Sequence, residues 1–138
     1  MAQRAARAGE VTVWLSRQIV LALHDEQLTA HGGAAGLRDA GLLDSALARP
    51  LNHAGYAEPD VAELAALYAI AIARNHPFVD GNKRTAFASL VLFLSLNGLE
   101  LEAPEVDAAI TMLRMAAGDL PDAEFIAWVR AHAETPPG

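Results

Sequence analysis

Two apolar runs, LAALYAIAIA from Leu64 to Ala73 and SLVLFLSL from Ser89 to Leu96, are separated by a stretch that packs His76, Asp80, Asn82, Lys83 and Arg84 close together. Burying so many polar groups without partners costs several kcal/mol, so the stretch must lie at a surface while the runs it joins lie in a core. Pro77 has no amide hydrogen and restricts His76 before it, which ends the first run as a helix near Asn75. A second helix, from about Asn82 to Asn97, is apolar nearly all round and is expected to be the central one, with Gly98 as its terminating C′ residue. The chain is thus constrained to two core helices joined by a polar turn.

The remaining segments also read as helical. Ser16 caps a helix from about Arg17 to Ala30, which Gly32-Gly33 ends. Asp39 caps a short helix through Leu42, Leu43, Ala46 and Leu47, and Pro50 is expected to stop it. LNHAGYAEP, residues 51–59, has the mixed polarity of an exposed loop or short hairpin. Asp60 with Glu63 three residues on resembles a capping box at the start of the helix that reaches Asn75. LELEA, residues 99–103, alternates like a short strand, and helices over about Glu105–Ala117 and Pro121–Ala133 complete the chain. The expectation is an all-α, compact bundle of about six helices with a central apolar helix and at most a short hairpin. At 138 residues and 53% apolar content it forms one domain, 1–138, with about 1–12 and 135–138 flexible.

Composition excludes several classes of function. No apolar stretch reaches the ~18 residues a membrane span needs, and MAQRAARAGE has no apolar segment of a secretory signal, so a cytoplasmic protein with no membrane partner is expected. The absence of cysteine excludes thiolate metal sites and cysteine nucleophiles. A net charge of −7 argues against direct nucleic-acid binding over a broad face, because that binding neutralises many phosphates. Any cationic site is local, and Lys83, the only lysine in the chain, sits beside Arg84 in the polar turn.

A helix starting at Gly81 or Asn82 points unpaired amides and the positive end of its dipole out of the turn, which makes an anion site. Gly81 lets an anion approach the backbone, and Lys83 and Arg84 add charge. Asp80 repels phosphate unless it holds a divalent cation such as Mg²⁺ that bridges to it. Histidine is the side chain whose ordinary chemistry suits a general base, and His76 is placed just before the turn to take a proton from an attacking hydroxyl. These are the parts of phosphoryl or nucleotidyl transfer. A plainer arrangement uses the same residues: Asp80 or Asn82 as helix cap, His76 as a solvated helix end, Lys83 and Arg84 as first-turn surface residues.

HPFVDGNKRTA, His76 to Ala86, resembles the signature of the Fic/Doc superfamily, and Lys83 is what the Doc branch carries where the Fic adenylyltransferases have glycine. LHDEQL at 23–28, HGGAAGLRDAGLLDSALARP at 31–50 and FLSLNG at 93–98 are similar to Doc-family segments in the same order. The resemblance runs from about Leu15 to the last helix. Phe87 stands where Fic enzymes have a second arginine that places the nucleotide for AMP transfer. The resemblance implies a toxin of a type II toxin–antitoxin system that uses ATP and Mg²⁺ to phosphorylate a threonine of elongation factor Tu, arresting translation. It makes His76 the catalytic base, Asp80 the metal ligand, and Gly81, Asn82, Lys83 and Arg84 the phosphate-binding residues. Phe78 is read as an inward-facing anchor of the turn. It also implies a small antitoxin whose C-terminal segment folds on this chain. AMP transfer, or a non-catalytic helical module held by an antitoxin, are the alternatives.

Other motifs carry less. His24-Asp25 is similar to the paired ligands of HD-type phosphohydrolases, but no second group of ligands accompanies it, and a helix-surface pair is the simpler expectation. His31, His53 and His132 fall at apparent loop or helix ends, where solvation is expected. Gly32, Gly33 and Gly36 follow a helix instead of preceding one, so they read as a C-cap and turn, not a phosphate loop.

Overall fold

The computed structural model describes residues 11–137. Six helices follow one another: α1 (Arg17–His31), α2 (Ala40–Ala54), α3 (Val61–Asn75), α4 (Asn82–Leu96), α5 (Glu105–Ala116) and α6 (Asp122–His132). Two strands of two residues, β1 (Glu100–Leu101) and β2 (Ala133–Glu134), pair antiparallel with Leu101 opposite Ala133. The all-α expectation holds. No helix of the described residues is long and apolar enough to cross a membrane. The flexibility expected at about 1–12 and 135–138 lies, for residues 1–10 and 138, outside the described residues. By Val13 the chain is already tied down, because its amide and carbonyl bond the Asn97 side chain at 2.8 and 2.9 Å.

Local sequence accounts for most helix ends. Ser16, Asp39 and Asp60 each accept a bond from the amide three residues on, at Ile19, Leu42 and Glu63, and so occupy one orphan donor of α1, α2 and α3. The α4 C-terminus closes as a Schellman motif: Leu99 N–H reaches Leu94 O at 2.9 Å and Gly98 N–H reaches Ser95 O at 3.3 Å, with Gly98 at φ +89°.

Three expectations are corrected. Pro50 does not stop α2 but lies inside it, buried, completing the stripe Leu43, Ala46, Leu47 and Pro50. Its missing amide forfeits one helical bond, and burial of the ring in the core offsets that loss. Residues 51–54 therefore continue the helix, and only a turn remains of the loop or hairpin expected over 51–59. The most enclosed helix is α3, not α4: every residue from Val61 to Ala73 except Glu63 is buried, and α2, α4 and α6 pack around it. Helix α4 keeps a partly open face at Phe87, Val91 and Leu92. The short strand expected in LELEA does form, at Glu100–Leu101, and pairs with the segment after α6, two helices later.

His53 and His132 also differ from the solvated ends expected of them. His53 Nε2 meets Glu63 Oε2 at 2.6 Å, and His132 Nδ1 lies 2.8 Å from Trp128 O.

Asp60 carries a load beyond its cap, because Arg130 Nε on α6 donates to its second oxygen at 2.7 Å. Asp60→Ala is expected to cost about 1–3 kcal/mol, while Asp60→Asn, which keeps the oxygen facing Glu63 N–H, costs a smaller share. Urea unfolding measures both; equal losses would show that the cap contributes nothing.

Candidate functional site

The turn between α3 and α4 is held from three directions. His76, the C-cap of α3, is the one non-glycine residue at positive φ among those described, at φ 56° and ψ 52°. That left-handed conformation costs an L-residue about 1–2 kcal/mol and persists only where its surroundings enforce it. Here Arg38 enforces it: Nε donates to His76 O at 2.7 Å and Nη2 to Asn75 O at 3.1 Å, taking up carbonyls that the end of α3 leaves open. Two amides of the same loop, Arg38 and Asp39, bond Pro77 O at 2.7 and 3.0 Å. Phe78 is wholly buried, as expected of the anchor, and stacks on the ring of His24 at 3.8 Å.

Asn82 pins the turn from inside. Its Oδ1 accepts from Phe78 N–H at 2.9 Å, and its Nδ2 donates to Phe78 O at 2.9 Å and toward His76 Nδ1 at 3.1 Å. The two backbone partners fix which way the amide points. Both donor hydrogens are thereby engaged, and the residue is buried, so the Asn82 side chain has none left for a phosphate. The structure thus gives the Asn82 side chain to the turn, and only its main-chain amide is left to face an anion.

Helix α4 starts at Gly81, at φ +78°, with no side-chain cap. The cap expected as the plainer role of Asp80 or Asn82 is not made. Instead Asp80 Oδ1 accepts from the neighbouring Gly81 N–H at 2.8 Å and Oδ2 from Ala34 N–H at 3.2 Å. None of the described residues is a partner to the amides of Asn82, Lys83 and Arg84. Among the six helices, α4 alone combines an uncapped start with no acidic residue in its first turn: α1, α2 and α3 are capped, and α5 and α6 open with Glu105, Asp107, Asp122 and Glu124. Two cations, Lys83 and Arg84, stand there exposed, and among the described residues neither forms an ion pair, whereas Arg17, Arg49, Arg74 and Arg130 all do. Cations at a helix start are unfavourable unless an anion compensates.

The turn opens into a cleft of about 880 Å³. His76, Asp80, Lys83 and Arg84 form its polar end, and Phe87, Val91, Met112 and Leu113 its apolar wall. The structure thus brings His76, Asp80, Gly81, Lys83 and Arg84 to one cleft. No group of three or more His, Asp or Glu side chains that could hold a metal ion gathers among the described residues, and His24-Asp25 is no metal pair, since His24 is buried beneath the turn.

Sequence reasoning missed the loop that props this turn. A Cβ on Gly33, at φ +120°, would come 2.7 Å from Asp80 Oδ2, so glycine is what lets the loop meet the carboxylate. Gly36 O accepts from Val79 N–H at 3.0 Å, and the loop touches the turn again through Arg38. Gly32 does act as the C-cap expected of it, bonding Leu28 O at 2.7 Å. The only signal in the sequence was the density of glycines after α1.

Residues 14–94 of the sequence match the model of the Fic/DOC family. Protein kinase doc of Escherichia phage P1 is 38% identical over 94 residues, covering 67% of this chain and 75% of that protein. Toxin Doc of Mycolicibacterium smegmatis is 41% identical over 110 residues, covering 78% of this chain and 82% of its own. The chain belongs to the Fic/DOC family. The matched span of this Fic/DOC chain runs from Trp14 to Leu94 and so contains both the turn and the loop that props it.

The amide of Gly81 and then that of Ala34 hold the Asp80 carboxyl below the usual carboxylate range; desolvation opposes them, and the charges of Arg84 and then His24 add to the lowering. A depressed pKa means the carboxylate's bonds contribute fully above the unfolded value of ~3.9 and are lost as pH falls through the lower folded value. The amide resonances of Gly81 and Ala34 are therefore expected to titrate together, with a common midpoint below ~3.9. Separate midpoints, or one at or above that value, would contradict the shared carboxylate.

Proposed function

We propose that this chain is the toxin of a toxin–antitoxin pair, acting in the cytoplasm, and that it transfers the γ-phosphate of ATP to a threonine hydroxyl of elongation factor Tu. The observation that carries this reading is the start of α4, where three unpartnered amides and two unpaired cations converge beside Asp80 and His76. Support comes also from the relatives, one named a protein kinase and the other a toxin.

Each group has a role its surroundings suit. The amides of Asn82, Lys83 and Arg84 bind phosphate oxygens, and the Lys83 ammonium and Arg84 guanidinium stabilise the charge that develops on the transferred group. Mg²⁺ fits Asp80: the carboxylate is exposed and held ionised, and each oxygen, taking one amide hydrogen, keeps a lone pair for a hard cation. With no second carboxylate nearby, phosphates and water would complete its coordination, and the ion would neutralise phosphate charge. His76 takes the proton of the attacking hydroxyl. Because Asn82 Nδ2 faces Nδ1, a neutral ring carries its hydrogen on Nε2, and base action requires the Nδ1 lone pair to exchange Asn82 for the incoming hydroxyl. Phe87, partly buried against the core, offers no charge to a phosphate farther along α4, which favours the γ-phosphate next to His76 over the α-phosphate.

A protein partner fits the exposed apolar face of α5, which meets the cleft at Leu113. Val106, Ile110 and Leu113 are exposed on α5 at spacings of one and two turns, an unpartnered face suited to a small antitoxin's C-terminal segment. The complex is expected to melt well above the toxin alone; equal melting temperatures with antitoxin peptide in excess would count against it.

Incubation with elongation factor Tu and ATP labelled at the γ or the α position tests the reaction. Label from the γ position on a threonine is expected; α label means AMP transfer, and no label at all refutes both. His76→Ala is expected to lower transfer by about 100-fold or more while the protein stays folded. Lys83→Gly should lower γ transfer by at least about tenfold; undiminished label would remove the lysine from the phosphate site.

A further inference from the structure

His24 lies outside every role assigned so far. It is a buried side chain of α1, 3% exposed, placed directly beneath the catalytic turn. Its Nε2 is 2.8 Å from the carbonyl oxygen of Asp80. A carbonyl can only accept, so whether the ring is neutral or charged Nε2 holds a hydrogen and donates it. One face of the ring lies on Phe78, nearly parallel at 8°. A Cβ placed on Gly81 would touch its Cδ2 and Nε2 at 3.6 Å, so the ring also lies under Gly81.

We infer that His24 is a positioning residue that locks the Asp80–Gly81 peptide in the one orientation compatible with an anion at the start of α4. In a trans peptide the carbonyl and the N–H point in opposite directions. Drawing the Asp80 carbonyl inward to His24 therefore turns the Gly81 N–H outward, where it bonds Asp80 Oδ1 at 2.8 Å and aims the carboxylate. The lock is needed because Gly81 has no Cβ: a glycine populates positive and negative φ about equally, so this peptide can flip at little cost. A flipped peptide would turn the Asp80 carbonyl oxygen outward beside the amides of Asn82 and Lys83 and present a partial negative charge where phosphate is to bind. It would also take the Gly81 hydrogen from Asp80. One hydrogen bond, made on the side of the turn away from the cleft, thus governs both the amide cradle and the carboxylate.

The inference rests on the phosphate-site reading, and two variants separate the donor from the ring. His24→Phe keeps an aromatic face against Phe78 and loses the hydrogen; His24→Gln loses the ring and keeps an N–H near the position of Nε2. The Gly81 amide resonance reads the peptide's orientation with no nucleotide present. It is expected to move upfield or broaden in His24→Phe and to stay near its wild-type position in His24→Gln. For Mg·ATP affinity by calorimetry and γ transfer, His24→Phe is expected to lose about 10- to 100-fold and His24→Gln to recover most of it, whichever variant has the lower melting temperature. An unmoved Gly81 resonance in a folded His24→Phe overturns the inference, as does a Gln variant as impaired as the Phe variant. Should His24→Phe not fold, a Gln variant with the wild-type Gly81 resonance supports the lock and a displaced one overturns it. Failure of the functional reading looks different: wild type itself neither binds Mg·ATP nor transfers label, while the Gly81 resonance still decides whether His24 orients the peptide.

Discussion

The side chain of Asn82 holds the main chain of Phe78 by both its N–H and its C=O, much as a neighbouring strand would. Everything distinctive about the turn depends on this pairing. Between residues 75 and 82 the chain leaves one buried helix and enters another, and the Phe78 backbone is carried into the core with its ring. Each such bond contributes about 1 kcal/mol net, but a buried N–H or C=O left without a partner costs about 1–3 kcal/mol. A single amide therefore removes two penalties at once and leaves one hydrogen to meet His76 Nδ1. The same residue that closes the core also orients the proposed base and begins the helix whose amides face the cleft.

Around that pin the structure invests in conformations that local energetics alone would not select. His76 sits in a left-handed backbone conformation, Lys83 and Arg84 stand at the wrong end of a helix dipole, and α4 begins without a cap. Each costs some stability and each is supported from elsewhere in the fold: Arg38 holds the His76 carbonyl, Ala34 holds Asp80, and His24 holds the peptide between Asp80 and Gly81. The supports come from α1 and the loop after it, while the residues proposed for the chemistry lie in the turn after α3 and at the start of α4. A turn so far from its own preferred state, maintained by contacts distant in sequence, is what a binding site for an anion requires.

How much of this was legible in the sequence follows from the range of the forces involved. Ser16, Asp39 and Asp60 act over three residues, and Gly98 over one turn, so they could be read directly. The residues His76 to Arg84 stood out as a candidate site because unlike charges and a lone lysine crowd an apolar context. Pro50 misled because a local rule about its missing amide was outweighed by burial, and that burial depends on what α2 packs against. The centrality of α3 over α4 was hidden for a related reason: both are apolar, and only packing shows that Phe87 and Val91 border the cleft. That the Asn82 side chain holds the turn could not be read, because its backbone partners are main-chain groups whose direction no side-chain pattern reveals. His24, Gly33, Ala34 and Arg38 were silent because they act across about 40 to 56 residues of chain.

The central claim is that the bare start of α4 receives the phosphates of a nucleotide. The most direct measurement follows the backbone amide resonances of the protein as the Mg²⁺ complex of a non-hydrolysable ATP analogue is added. The amides of Asn82, Lys83 and Arg84 are predicted to move furthest and together, while those at the capped starts of α1, α2 and α3 stay in place. Saturable binding that leaves those three amides unmoved would contradict the account.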